Sequence, residues 1–270
     1  MLVTVSAVWL GVHLRRTQCQ REAIAAILEY GGWIRYDYQM TADRNFDPEG
    51  TSWVPEWLRE IAGEDFFHSV VDVSFVYSED SGVREENDAV TIAPLESVAN
   101  LPRVRQLLLS GTQVDDASLR HVRKLKHLRA IYMWDASEVS DEGFRNLQGL
   151  PRLELIHLSK SRITDKSLEI ASRMPSLQVL SMQYNDFSDE GVRHLAALPN
   201  LKSLWVCGSE ERPNQITNES LQFLLNSSQL DRLGVQHTYV TFDFVTELQT
   251  QFPNSMIAHR LAKRNARGDN

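Results

Sequence analysis

The chain has 270 residues, of which 42% are hydrophobic and 24% are charged, values typical of a folded domain and not of a disordered chain. The net charge of -8 argues against general binding to a nucleic-acid backbone, which requires clustered lysine and arginine. The two cysteines, Cys19 and Cys207, lie far apart in sequence and argue against a disulfide framework or a structural zinc site.

The chain begins with an apolar stretch, MLVTVSAVWLGV, which precedes Arg15 and Arg16. A membrane-spanning helix needs roughly 20 apolar residues, and a secretory signal needs a basic region ahead of its apolar stretch. Two interpretations of residues 1–16 are open: an apolar helix that packs on the body or lies at an interface, or the second half of a membrane anchor that starts upstream of Met1. The second is favoured. It predicts a membrane-associated protein with a single N-terminal anchor, on an undetermined side of the membrane.

Residues 17–70 are predicted to form an α/β cap on the repetitive region that follows. Helical character over residues 20–29 ends at Gly31-Gly32. Residues 33–38 then alternate in the manner of a strand, and residues 55–62 predict a short helix that starts with proline. The open end of a stack of repeats exposes core residues, so a segment that precedes the repeats is well placed to cover them.

Residues 71–252 contain a repeat. Similar tetrapeptides (LPRV, LKHL, LPRL, MPSL and LPNL) begin at residues 101, 125, 150, 174 and 198, which gives spacings of 24, 25, 24 and 24 residues. Each unit follows L-x-x-L-x-L-x-x-(N/T/S)-x-(I/V/F), a pattern that one unit fills with Leu153, Ile156, Leu158, Ser161 and Ile163. Val71, Val73 and Phe75 indicate an earlier, imperfect unit, and a degenerate copy begins at Ser227. This period and pattern match the leucine-rich-repeat template.

Each unit predicts a strand, a turn and a helix. Alternate apolar residues such as Leu180 form a strand whose inner side chains enter the core. The pairs Ser140-Asp141, Thr164-Asp165 and Ser188-Asp189 suit the first turn of a helix. The predicted fold class is α/β: a curved leucine-rich-repeat solenoid with parallel strands on its concave face and helices on its convex face. Residues 253–270 are predicted to form a basic flexible tail.

The repeat resembles the cysteine-containing-like subtype of leucine-rich repeats, because its units contain endings such as ITDKSL. The segments VTVSAVWLGV, QREAIAAI, GGWIRYDY, PEWL and GEDFF are similar to membrane-anchored leucine-rich-repeat proteins of planctomycete-type bacteria. The resemblance covers nearly the whole chain. It implies a transmembrane helix ahead of the cap, a pattern from which this sequence departs by starting inside that helix. It implies no activity.

The repeat pattern also predicts which side chains line the concave face, because they alternate with the inward residues of each strand. The candidate partner-binding residues are Tyr132, Trp134, His157, Gln183, Trp205 and Gln236. Exposed aromatic side chains are favoured anchors for protein partners. The sequence therefore predicts non-catalytic protein–protein recognition or scaffolding through this face. The competing interpretation is that neighbouring side chains or loops cover these aromatic residues.

No catalytic residue, metal site or cofactor is predicted. The chain has no H-E-x-x-H, G-x-S-x-G, G-x-G-x-x-G or P-loop motif, and the aspartates that recur with the repeat are explained as helix-start residues. A Ser-His-Asp triad stays open, because its members need not be adjacent in sequence. One alternative function is an F-box-like substrate-receptor adaptor, although no such helical segment is visible before the repeats. Others are a hydrolase that uses His157 and a nearby hydroxyl, and a purely structural scaffold. The oligomeric state is left open.

Overall fold

The computed structural model describes residues 2–41, 46–47, 49–75, 92–110, 114–224, 230–251 and 256–258. The degenerate repeat expected at Ser227 begins outside these ranges, as does most of the tail expected over residues 253–270.

After the first two strands, helices and strands alternate along the chain. The α-helices of the described residues are α1 (Leu2–Glu29), α2 (Glu56–Ala62), α3 (Glu64–Phe67), α4 (Ile92–Val98), α5 (Asp116–Leu119), α6 (Asp141–Phe144), α7 (Asp165–Ala171), α8 (Asp189–His194), α9 (Asn218–Leu224) and α10 (Phe242–Gln251). Short 3-10 helices cover Asp37–Gln39, Arg120–Lys124, Arg145–Leu147 and Leu195–Ala197. Helix α1 is continuous, so it joins residues 2–16 to the segment predicted as a cap.

The strands form one nine-stranded sheet in the order of the chain. They are β1 (Trp33–Tyr36), β2 (Val70–Ser74), β3 (Gln106–Ser110), β4 (Ala130–Trp134), β5 (Leu155–Leu158), β6 (Val179–Ser181), β7 (Ser203–Trp205), β8 (Arg232–Gly234) and β9 (Met256–Ala258). Strand β1 pairs antiparallel with β2, and every later neighbour pairs parallel. Successive parallel strands joined through helices are the architecture of a leucine-rich-repeat solenoid.

The core lies between the sheet and the helices, where the leucine pattern predicted it. One row of paired inward residues runs through the sheet: Val73, Leu107, Ile131, Ile156, Leu180, Leu204, Leu233 and Ile257. Leu180 is fully buried, as its position in the motif predicted. Each unit contributes a few apolar side chains, and burial becomes complete only when neighbouring units stack.

Hydrogen bonds between units explain the recurring aspartates. The Asp165 carboxylate at the start of α7 accepts hydrogen bonds from the backbone N–H and the hydroxyl of Ser188, the N-cap of α8. Asp141 binds Thr164 in the same way, with the Thr164 nitrogen 2.9 Å from Oδ1. The sequence predicted that these aspartates start helices. In the structure each one also joins its unit to the next.

The N-terminal segment, residues 17–70, lies against the first repeats. Strand β1 occupies the edge of β2 that faces away from β3, and the side chains of Ala23 and Ile27 in α1 are buried in the core. Its role as a cap stays a prediction.

At the other end, the structure corrects the predicted tail. Strand β9 lies within residues 253–270 and pairs with β8 through Ile257 and Leu233. The sheet therefore extends beyond residue 252, because the unpaired edge of β8 accepts one more short apolar strand.

Candidate functional site

We call the side of the sheet opposite the helices the concave face. Strand register aligns its residues in rows across the repeats. One row contains Asp72, Gln106, Ala130, Leu155, Val179, Ser203 and Arg232, and the next contains Ser74, Leu108, Tyr132, His157, Ser181, Trp205 and Gly234. Trp134 follows in β4, paired with Ser110. Strand register therefore places Tyr132, Trp134, His157 and Trp205 on this face, whereas Gln183 and Gln236 lie in turns after β6 and β8, and their place on it stays a prediction.

Three of the six candidates touch one another, and we call Tyr132, Trp134 and His157 the aromatic cluster. The rings of Tyr132 and Trp134 stack with centroids 5.4 Å apart and an interplanar angle of 16°. His157 lies on the adjacent strand opposite Tyr132, and its ring centroid is 5.0 Å from that of Trp134. All three side chains are half-buried, so the rings support one another and still present an apolar surface.

The other three candidates lie outside this cluster. Trp205 donates from Nε1 to Ser203 Oγ at 3.0 Å, and Gln183 donates from Nε2 to Ser181 Oγ at 3.1 Å. Both side chains bend back over their own strands, and each is half-buried, as is Gln236. The small concave residues beneath them are buried. The accessible surface of the face is therefore provided by the large side chains.

His157 has an unusual environment for a polar residue. Its Nε2 atom is enclosed and accepts or donates no hydrogen bond among the described residues. Burial lowers the pKa of His157 below its ordinary value of 6.5, so the ring is neutral near pH 7. The Nε2 atom therefore does not pair with a hydroxyl of any described residue, as a hydrolase that used this atom would require.

A charged cavity lies beside the aromatic cluster, at the start of strands β2 to β5. Its volume is about 160 Å³, and its lining is Met40, Val71, Asp72, Arg105, Gln106, Arg129, Ala130, Glu154 and Leu155. Arg129 forms an ion pair with Glu154 at 2.6 Å. Arg35 approaches Asp72 at 3.7 Å from the β1 side. The cavity thus combines apolar walls with charges of both signs.

The buried carboxyl of Asp72 connects the cavity to the cluster electrostatically. Burial raises the pKa of Asp72, and the nearby guanidinium groups of Arg35 and Arg105 only partly oppose this effect. Burial also raises the pKa of Tyr132, and the negative charge of Asp72 adds to that increase. The Tyr132 hydroxyl therefore stays protonated and can donate a hydrogen bond.

The charged residues Arg105, Arg129 and Glu154 are not among the predicted site residues, because they lie before the strands and not at the alternating positions inside them. A usable signal was present, since long polar residues recur immediately before the strands: Arg105, Arg129, Glu154, Gln178, Lys202 and Asp231. The Arg129 carbonyl accepts the N–H groups of Glu154 at 2.8 Å and Leu155 at 2.9 Å. The same arrangement recurs between later repeats, and the first three of these residues, Arg105, Arg129 and Glu154, line the cavity.

The N-terminal segment contains a Ser-His-Asp arrangement that sequence reasoning could not locate. His68 lies with Nδ1 3.0 Å from Asp37 Oδ1 and with Nε2 2.7 Å from Ser52 Oγ. Ser52 Oγ also accepts the N–H of Val54 at 3.0 Å. His68 is only 4% exposed and packs against Tyr38, with ring centroids 4.5 Å apart. The arrangement joins three separate parts of the N-terminal segment.

The described residues contain neither a metal-binding group nor a membrane-spanning helix. In these ranges no group of three or more His, Cys, Asp or Glu side chains is positioned to hold a metal ion. Nor does any helix there combine the length and apolar character needed to cross a bilayer.

No protein-family model matches the chain, and no curated protein matches its sequence. Among solved structures, internalin C2 of Listeria monocytogenes is 18% identical over 67% of this chain and 88% of its own, with a TM-score of 0.46. Internalin inlF of the same organism is 18% identical over 63% of this chain and 51% of its own, with a TM-score of 0.45. The plant peptide hormone receptor RGFR1, solved in complex with RGF2, is 16% identical over 62% of this chain and 26% of its own, with a TM-score of 0.39. The repeat architecture stands on the geometry of this chain alone.

Proposed function

We propose that this chain is a non-catalytic recognition protein that binds a protein partner on its concave face. The observation that carries the proposal is the position of the aromatic cluster beside the charged cavity on one sheet. Tyrosine, tryptophan and arginine are the residue types that contribute most to binding at protein interfaces. The cluster lies on strands paired on both sides, so little conformational entropy is lost on binding.

The charges indicate what the partner presents. Arg105 is exposed at the mouth of the cavity and forms no ion pair with a described residue. A carboxylate of the partner would pair with it, while an apolar or aromatic side chain would pack on Tyr132 and Trp134. We therefore propose a partner segment that carries an apolar anchor next to an acidic group.

A photo-crosslinking experiment tests the proposed face directly. A benzophenone side chain is introduced at Leu108, which is half-buried on the concave face next to Tyr132. The matched variant carries it at Glu190, which is exposed on helix α8 on the opposite side. In extract of the native cells, a crosslinked protein is expected from Leu108 and not from Glu190.

The captured partner then allows an affinity measurement. Trp134→Ala is expected to weaken binding by at least about tenfold, the usual effect of truncating an aromatic anchor. Tyr184→Ala is the control, because Tyr184 is exposed outside the concave face strands. Equal affinities of the two variants, or equal crosslinking from both positions, would place the binding site elsewhere.

We further propose that the chain is tethered to a membrane through its N terminus. The support is the apolar sequence of the first residues and their resemblance to membrane-anchored repeat proteins. Fractionation of native cells provides the test. The protein is expected in the membrane fraction and is expected to need detergent, and not high salt, for its release.

A hydrolase is the second candidate, because Ser52, His68 and Asp37 are spaced as nucleophile, base and orienting acid. Two features favour a structural role instead. The Val54 N–H donates a hydrogen bond to Ser52 Oγ, and the His68 ring is buried. A fluorophosphonate probe that labels active serines distinguishes the two. We expect no labelling, whereas labelling that disappears in Ser52→Ala would establish the hydrolase.

A further inference from the structure

Residues 8–14 of α1 are largely uncovered by the other residues that the structure describes. Residues 8–14, VWLGVHL, make about two helical turns and are largely apolar on all sides. Except for His13 they are all exposed, and Trp9 is 64% exposed. A helix that is apolar all round is normally buried. This part of α1 therefore lacks the apolar surroundings that its composition favours.

A continuous row of aromatic rings joins this exposed helix to the loop before α2. Trp9 stacks on His13 at 5.2 Å, and the His13 ring meets Phe66 edge-on at 4.6 Å. Phe66 contacts Phe67 at 4.9 Å, and Phe67 contacts Trp53 at 6.4 Å. His13 Nε2 also hydrogen-bonds the Phe66 carbonyl at 2.8 Å, which fixes α1 against α3.

The row ends at an exposed apolar ridge. Trp53 is 78% exposed, Trp57 is 61% exposed and Ile61 is 78% exposed. Trp57 and Ile61 are separated by one helical turn in α2 and share a face. Glu56 and Glu60 form the neighbouring, exposed face. The exposed surface of α2 therefore has an apolar strip, formed by Trp57 and Ile61, next to an acidic strip formed by Glu56 and Glu60.

We propose that Trp53, Trp57 and Ile61 insert into the interface of a phospholipid bilayer. The inference rests on the proposed membrane tether and adds a second contact, made by the N-terminal segment itself. A bilayer explains the composition of the ridge, because tryptophan prefers the boundary between headgroups and hydrocarbon. It also covers residues 8–14 of α1, which the aromatic row connects to the ridge.

Basic residues lie where the headgroups would be. Arg15 and Arg16 are exposed directly after the apolar turns of α1. An open cavity of about 490 Å³ lies between α1 and the α2–α3 corner, with Leu14, Arg15, Thr17, Gln18, Arg21, Ala62 and Phe66 as its lining. Arg21 pairs with Asp65, which leaves the exposed Arg15 guanidinium, beside the apolar walls, to bind a lipid phosphate.

Vesicle flotation of the full chain tests the inference. Vesicles of phosphatidylcholine, with and without phosphatidylglycerol, are mixed with the protein and with two triple variants. The first changes Trp53, Trp57 and Ile61 to serine. The control changes Tyr184, Tyr239 and Met256 to serine. These large side chains are also exposed, by 47%, 57% and 59%, but lie elsewhere on the molecule.

We expect the partition coefficient to fall at least about tenfold in the first variant and to stay within about twofold of the original in the control. Quenching by brominated phosphatidylcholine is expected to weaken in Trp53→Phe/Trp57→Phe. Flotation of the first variant equal to that of the unchanged protein would overturn the inference and leave the tether intact. Failure of the unchanged protein to float would overturn both. A dimer that dissociates on the same triple substitution would show that the ridge binds a second copy, and would also overturn the inference.

Discussion

The indole ring of Trp205 occupies the space in which a side chain at Gly234 would begin. A Cβ atom placed on Gly234 would lie 2.1 Å from Cε3 of Trp205, far inside any van der Waals contact. The two residues are paired across β7 and β8. Because Gly234 has no side chain, the indole ring of Trp205 can lie along the concave face. In this position its Nε1 donates a hydrogen bond to Ser203 Oγ.

Gly234→Ala is expected to move the Trp205 ring out of this position. The substitution overpacks a buried contact, so we expect the free energy of unfolding to fall by about 1–3 kcal/mol. Urea unfolding followed by tryptophan fluorescence measures this change. Gly149→Ala is the control, because a Cβ there meets only Lys126 Nζ at 3.9 Å. Equal stability of the two variants would contradict the packing of Trp205 on Gly234.

Asp165→Ala is expected to destabilise the stack of repeats by about 1–3 kcal/mol, because it leaves the N–H and hydroxyl of Ser188 without their acceptor. Glu190→Ala removes an exposed carboxylate from the first turn of α8 and is expected to cost less than about 0.5 kcal/mol. Thermal unfolding of both variants provides the comparison. If both variants lost a similar amount of stability, the effect would come from the charge at the helix end and not from a specific hydrogen bond between units.

The contribution of Asp141 is expected to disappear in acid. Burial alone would raise the pKa of Asp141, but the hydrogen bonds donated by Ser167 and Thr164 outweigh burial and lower it below 3.8. The stabilisation is then fully present above the unfolded pKa and is lost as the pH falls through the lower, folded pKa. The difference in unfolding free energy between the original protein and Asp141→Asn should narrow between neutral pH and about pH 3. A difference independent of pH would contradict this assignment.

His157 is expected to make the protein less stable as the pH falls below 6.5. Because burial lowers its folded pKa, the unfolded chain takes up the proton first, and acidification favours unfolding in the interval between the two pKa values. His157→Gln removes the titrating group and should lose less stability between pH 7.5 and pH 5.5. Urea unfolding at the two pH values measures this difference. An equal loss in both proteins would show that the ring is not held neutral.

The sequence by itself determined the repeat, the inward leucines and the starts of the helices. These features depend on local spacing: the position of Leu180 within its motif was enough to place it in the core, and Ser188-Asp189 was enough to place the start of α8. The same alternation also assigned Tyr132, Trp134 and His157 to one face of the sheet.

Only the tertiary structure decided which of these side chains meet. Tyr132 and His157 are brought into one row by strand register, while the cavity of Arg105 and Glu154 forms across four strands. The hydrogen bonds between Asp165 and Ser188 also form only because two units are adjacent. Likewise, strand β9 pairs with the strand of the unit before it. A sequence pattern specifies where a residue lies within its own unit, whereas contacts between units depend on how residues about 24 positions apart are stacked.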